Sequence, residues 1–136
     1  MNQVDRYRGC LLGLAAGDAM GTTVEFQAPG TFNPVTDMAG GGPFGLHPGE
    51  WTDDTSLALC LAESLVMRKC FDPDDQMKRF VRWYRQGHLG SNGQCFDIGN
   101  TTRAALDEYQ RTNEPFSLET AVQLLPQLNT MIVSDY

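Results

Sequence analysis

Thr52, Asp53, Asp54 and Thr55 set two adjacent carboxylates between two hydroxyls, directly after a glycine-rich stretch that ends in Trp51. Such a box can do either of two things. One aspartate can cap a helix while the other gains from the macrodipole, together stabilising by roughly 1–2 kcal/mol. Alternatively the oxygens can hold a hard cation such as Mg²⁺, which takes carboxylate and hydroxyl ligands and keeps several waters. Asp54 precedes Leu57, Ala58 and Leu61 by three, four and seven residues. That spacing predicts that it faces the interior, where a bare carboxylate is costly. Asp18 poses the same question, lying four residues after Leu14 and seven after Leu11 on an apolar stripe. A local cap, a buried arginine, a metal or a substrate hydroxyl could each neutralise it. Glu25 follows seven residues later. If the helices carrying Asp18 and Asp53–Asp54 pack side by side, these acids approach one another, and clustered acids raise one another's pKa unless a cation supplies the counter-charge.

The elements that must position these residues follow from periodicity. Val4, Tyr7, Leu11, Leu14 and Ala15 recur at helical spacing and predict an amphipathic helix from about Asp5 to about Asp18. Gly9, Gly13, Gly17 and Gly21 fall every fourth residue on it, giving a smooth face that backbone or ligand could approach. From Thr22 to Glu50 glycine and proline are too frequent for a helix, so a long loop is expected. His47 reads there as a solvent-facing loop residue. Gly40–Gly45 fits G-x-G-x-x-G, but no β-rich run precedes it and no helix opens directly from it, so a dinucleotide site is discounted. The Thr52–Thr55 box opens a second helix with the stripe Leu57, Ala58, Leu61 and Leu65, ending at Arg68 and Lys69. A third helix is expected from Asp74 or Asp75 to a stop at Gly87, and a fourth from Asp97 through Tyr109. Gly87–Gly93 between them reads as a connector able to face a ligand. A short helix over Ser117–Leu125 is stopped by Pro126. With no two-residue alternation, the fold class is all-α.

At 136 residues, with 41% hydrophobic and 20% charged residues, one folded domain is expected and wholesale disorder is excluded. Ten basic against 17 acidic residues leave a net charge of −7, which argues against nucleic acid and anionic membranes as partners. Asp5, Arg6 and Arg8, with no apolar core region after them, build neither a signal peptide nor a membrane span. Cys10, Cys60, Cys70 and Cys95 lack metal or disulfide spacing and read as reduced thiols in a cytoplasm, Cys10 and Cys60 as small hydrophobes within helices.

Tyr7-Arg8-Gly9 through Gly17-Asp18-Ala19-Met20-Gly21, Glu25, Pro48-Gly49-Glu50-Trp51, the Thr52–Thr55 box and Asp97-Ile98-Gly99-Asn100-Thr101-Thr102 together resemble the ADP-ribosylglycohydrolase family. The resemblance places residues 1–116 as the N-terminal part of such a domain and 117–136 as a divergent tail. It implies a compact helical globule, here truncated, that holds two Mg²⁺ ions and cleaves the bond joining ADP-ribose to a protein side chain. By that similarity Thr52, Asp53 and Asp54 are metal ligands, and Glu25 or Asp18 positions substrate or activates water. Glycine-rich loops border the cleft, with Gly45, Gly49, Gly99 and Asn100 as substrate contacts. It implies an ADP-ribosylated protein or a small ADP-ribose conjugate as partner. It also implies a Gly-Asn-Gly-x-x-Met-Arg loop and an Asp-x-Asp-Thr box, and neither occurs in these 136 residues. A non-catalytic ADP-ribose or nucleotide-binding remnant, or a subunit dependent on a partner, is the alternative, with self-association through uncovered apolar surface a further expectation.

Overall fold

The computed structural model describes residues 2–115. Four α-helices make up its regular structure: α1 (Gln3–Gly21), α2 (Asp53–Arg68), α3 (Pro73–Gln86) and α4 (Asn100–Thr112), with a single 3-10 turn at Thr22–Val24. Among the described residues there is no strand, only one antiparallel bridge between Gly41 and Leu46 in the long loop. The class is all-α. The short helix expected over Ser117–Leu125 lies outside the described residues.

Each terminus has a local cause. The Asn2 side chain caps α1 through the Asp5 N–H at 2.9 Å. Asp72 caps α3 through the Asp75 N–H at 3.1 Å, and Pro73 occupies the first turn, where its missing N–H costs nothing. Gly87 ends α3 at φ +67°, and a Cβ there would overlap the Gly93 carbonyl, so only glycine closes this turn. α4 begins at Asn100, three residues later than expected, because Asp97 sits at φ +50° and Gly99 is extended as the N-cap.

The core lies between α2, α3 and α4, where Cys60, Trp83 and Leu106 are buried and Leu57, Met77 and Phe80 close around them. α2 buries a different face from the one its leucines predict. Ser56, Cys60 and Ser64, four apart, are buried, whereas Leu61 and Leu65 are exposed. A seam of small residues lets α3 come close enough to insert the Trp83 ring, which a leucine seam would hold off. Asp54, on the leucine side, is exposed rather than interior. The α1 stripe differs too: Val4, Tyr7 and Leu14 are exposed, Ala19 alone is buried, and the helix packs on α2. Cys10 is likewise exposed rather than a core hydrophobe, while Cys60 is fully buried, and all four thiols are free.

Candidate active site

Asp18 is the keystone. The Thr52 N–H donates to both of its carboxylate oxygens at 3.1 and 3.0 Å, and the Thr52 hydroxyl to Oδ1 at 2.8 Å. The Thr55 N–H and hydroxyl donate to Oδ2 at 3.1 and 2.6 Å. A carboxylate from the end of α1 thus caps the start of α2, where four N–H groups would otherwise lack partners. Among the described residues its hydrogen-bond partners are thus the hydroxyls and amides that open the next helix, while its charge still acts on Glu25, Asp53 and Asp97. Thr52 is the N-cap residue by position but gives no side-chain cap of its own, because its hydroxyl is turned to Asp18.

Beside this junction lies an open cavity of about 530 Å³. Gly13, Gly17 and Gly21 form one wall, and Asp18, Glu25, Thr52 and Asp54 contribute the polar lining. A Cβ built on any of the three glycines would meet nothing within 4 Å, so the wall is backbone facing open space. The Thr22 hydroxyl donates to Glu25 Oε2 at 3.2 Å.

The acids here press on one another. Burial, then the charges of Asp97 and Asp54, push Asp53 up to about 6. Glu25 is raised by burial first and by Asp97 next. Asp97 is raised by burial and by Asp54 and Asp18. Asp97, part of the Asp97–Thr102 motif but not singled out there as a site residue, therefore belongs to the same electrostatic cluster. Three rings tie it there: Phe44 stacks 6.3 Å from Phe26 and 5.6 Å from Phe96. Phe26 follows Glu25 and Phe96 precedes Asp97, so Phe44 joins the segments carrying both acids. Phe26 and Asp97 each adopt positive φ, +62° and +50°, a conformation that costs a side chain roughly 1 kcal/mol or more and persists where surrounding packing enforces it.

The other expected residues are dispersed. Asp53 is half-buried and Gly45 and Gly49 are exposed; none lines the cavity. Gly99 and Asn100 start α4 outside it. His47 is exposed, its N–H bonded to Glu50 Oε2 at 2.8 Å. The Gly87–Gly93 connector is anchored to the aspartate box: the Ser91 hydroxyl donates to the Trp51 carbonyl at 2.6 Å, and the Trp51 indole N–H reaches the Leu89 carbonyl at 3.4 Å. Ser91 carries no sequence signal beyond its place in a loop, and Thr55 belongs to the Thr52–Thr55 box without its contact to Asp18 being foreseen.

The donor chemistry suits a hard divalent cation, since oxygen ligands and mutually repelling carboxylates surround Asp53 and Asp54 without a basic side chain among the charges acting on Asp53. The number of donors falls short: among the described residues, no three His, Cys, Asp or Glu side chains converge as a group able to hold a metal ion.

The description ADP-ribosylglycohydrolase belongs to the family model that matches residues 1–125. The chain is 58% identical over 106 residues to the ADP-ribosylarginine hydrolase Tri1 of Serratia proteamaculans, covering 78% of this chain and 29% of that protein. It is 37% identical over 120 residues to the ADP-ribosyl-[dinitrogen reductase] glycohydrolase of Rhodospirillum rubrum, covering 83% and 38% respectively. A solved chain titled "ADP-ribosylglycohydrolase-related protein complex" superposes with a TM-score of 0.68 at 53% identity, over 82% of this chain and 35% of that one. The chain thus spans about a third of the length of these relatives.

Proposed function

Because the chain belongs to the ADP-ribosylglycohydrolase family, we propose that it serves the hydrolysis of the bond joining ADP-ribose to an arginine side chain of a protein or a small conjugate. The observation that supports this most directly is a glycine-walled groove whose polar lining is Asp18, Glu25, Thr52 and Asp54, in a chain 58% identical to a protein named ADP-ribosylarginine hydrolase. Thr52, Asp53 and Asp54 are the residues that would hold Mg²⁺. A bound divalent ion would orient ribose hydroxyls and make water more acidic.

The chain's own residues carry the remainder. Asp18, fully engaged by Thr52 and Thr55, is a positioning residue that fixes the aspartate box. Glu25, raised by burial, is the base: it takes the proton of a water whose oxygen bonds to the anomeric carbon as the carbon–nitrogen bond breaks, and returns it to the departing guanidine nitrogen. Gly45, Gly49, Gly99 and Asn100 are the substrate contacts of this reading, and backbone amides of the glycine-rich loops at Gly40–Gly49 and Gly87–Gly93 would meet the pyrophosphate. Four free thiols fit a reducing, cytoplasmic compartment.

A second reading has its own support. With no three acids converging on one point among the described residues, the chain can be an ADP-ribose-binding remnant or a subunit that needs further polypeptide. One experiment separates the two. The purified chain is incubated with ADP-ribosylated arginine and Mg²⁺, with Asp53→Ala and Glu25→Gln as controls, while thermal unfolding is followed with Mg²⁺ and ADP-ribose. Release of ADP-ribose lost in both variants supports the hydrolase. A thermal shift without release supports the binding module; ligand at about 100 times its dissociation constant stabilises by about 2.7 kcal/mol.

A further inference from the structure

The connector Gly87-His88-Leu89-Gly90-Ser91-Asn92-Gly93 has three glycines in seven residues, a composition that ordinarily gives a loose link between helices. Here it closes on itself. The Gly90 N–H donates to the Gly87 carbonyl at 2.9 Å, and the Gly93 N–H to the Gly90 carbonyl at 3.2 Å. A Cβ at Gly90 would lie 2.8 Å from the Gln94 carbonyl oxygen, so glycine is what permits the closure. Two grips fasten the closed loop to the body of the molecule. His88 Nε2 lies 2.8 Å from Glu63 Oε2 on α2, and its Nδ1 lies 3.4 Å from the Arg82 guanidinium on α3. Leu89 packs against the cluster of Cys60, Trp83 and Leu106.

From this anchored loop the Ser91 hydroxyl reaches out and donates to the Trp51 carbonyl at 2.6 Å, while the Trp51 indole N–H returns to the Leu89 carbonyl at 3.4 Å. The Trp51 carbonyl and the Thr52 N–H belong to one planar peptide group. Its N–H end is held by Asp18 from α1, at 3.1 and 3.0 Å, and its carbonyl end by Ser91. A grip on the N–H alone leaves the carbonyl free to swing; the opposed pair removes that freedom. The next residues hung from this peptide are Thr52, Asp53 and Asp54. Resting on the reading above, we infer that Ser91 is a positioning residue of the hydrolytic site. It does not line the acidic groove. It acts by fixing the Trp51–Thr52 peptide, and so sets the direction in which the aspartate box enters α2. A site of this kind needs its polar groups held to a fraction of an ångström, which a rigid loop braced on the core supplies and a loose one would not.

The test compares the parent chain with Ser91→Ala and Ser91→Thr, by amide-resolved hydrogen exchange and by calorimetric titration with ADP-ribose in the presence of Mg²⁺. In Ser91→Ala the Thr52 and Thr55 amides should exchange about fivefold faster, the worth of one neutral hydrogen bond, while those of Cys60 and Leu106 keep the parent's rates. The affinity for ADP-ribose should fall by a similar factor, about fivefold. Ser91→Thr, which keeps the hydroxyl, should restore both. Acceleration spread evenly over all amides would reduce Ser91 to an ordinary fold contact and overturn the assignment. Unchanged exchange at Thr52, or an Ser91→Ala variant that binds ADP-ribose as the parent does, would overturn it as well. The two readings fail separately. A parent chain indifferent to ADP-ribose and Mg²⁺ removes the hydrolase, and the exchange pattern at Thr52 and Thr55 then decides whether Ser91 holds the box. A parent that binds while Ser91→Ala binds equally removes Ser91 alone.

Discussion

Asp18 accepts from the amides and hydroxyls of Thr52 and Thr55, both of which are buried, so its removal strands polar groups at the start of α2. Hydrogen bonds to a charged group contribute about 1.5–3 kcal/mol, and a lost cap about 1 kcal/mol. Asp18→Ala should therefore lower stability by about 3 kcal/mol in urea unfolding, and Asp18→Asn by less, since its amide oxygen still accepts. A loss below about 0.5 kcal/mol for the alanine variant would contradict the junction described. Asp53 behaves in the opposite sense. Its charge is penalised by burial and by Asp97 and Asp54, holding its pKa at about 6. Asp53→Asn removes that penalty and should stabilise the metal-free protein, on the order of 1 kcal/mol once partial solvent screening is allowed for. The same variant should lose any thermal shift on adding Mg²⁺. Stability given up where charge is concentrated is the signature of a site rather than of a fold element.

At the scale of elements, two glycines predict opposite results. Gly13 lies within α1 with open space where a Cβ would go, so Gly13→Ala should raise stability by about 0.8–1.0 kcal/mol, the helix-propensity difference, visible as a rise of several degrees in melting temperature. Gly87 ends α3 at φ +67° with the Gly93 carbonyl where a Cβ would go, and Gly87→Ala should cost about 2 kcal/mol or more, detached from any propensity gain. The same contrast marks what was readable from the chain. The stop at Gly87 was legible because it acts locally, within a turn of the residue that carries the signal, whereas α3 starts with Asp72 as its cap rather than at Asp74 or Asp75. α2 ran Asp53–Arg68 as its acidic start and basic end foretell. Which face each helix buries was not, since that depends on partners: Cys60 and Ser64 are interior because Trp83 needs room, and Leu61 is exposed because nothing described covers it. Asp18 and the aspartate box were legible as chemistry, but their direct contact spans 34 residues and required the packing of α1 on α2. Asp97 joins them through the Phe26, Phe44 and Phe96 rings, an arrangement no spacing encodes.

Taken as a whole, the molecule sorts its carboxylates into two populations with opposite pH response. Glu63 is held below its usual value of 4.5, first by the His88 hydrogen bond at 2.8 Å and also by Arg79, which binds Asp75 as well. Asp72, Asp74 and Asp75 on α3 are lowered likewise by hydrogen bonds and basic partners. These groups stabilise the fold above their unfolded values, and that contribution is lost as pH falls through the folded ones. Glu25, Asp53 and Asp97 are raised. The folded state binds their protons more readily than the unfolded chain does, so stability rises as pH falls toward and below about 6, the value for Asp53. Without metal, the melting temperature should therefore climb on acidification from neutral pH, turn over near the ordinary glutamate value of 4.5, and fall below it. Glu63→Gln should weaken the acid-side fall, and Asp53→Asn should flatten the rise. Mg²⁺ at neutral pH should supply the counter-charge that protons supply in the acid range, raising the neutral end of the profile until the climb disappears. A melting temperature that falls steadily from pH 7 downward, with or without Mg²⁺, would mean that burial and the charges of Asp97 and Asp54 do not act on Asp53 as described. The groove between α1 and α2 could not then concentrate negative charge enough to hold a divalent ion.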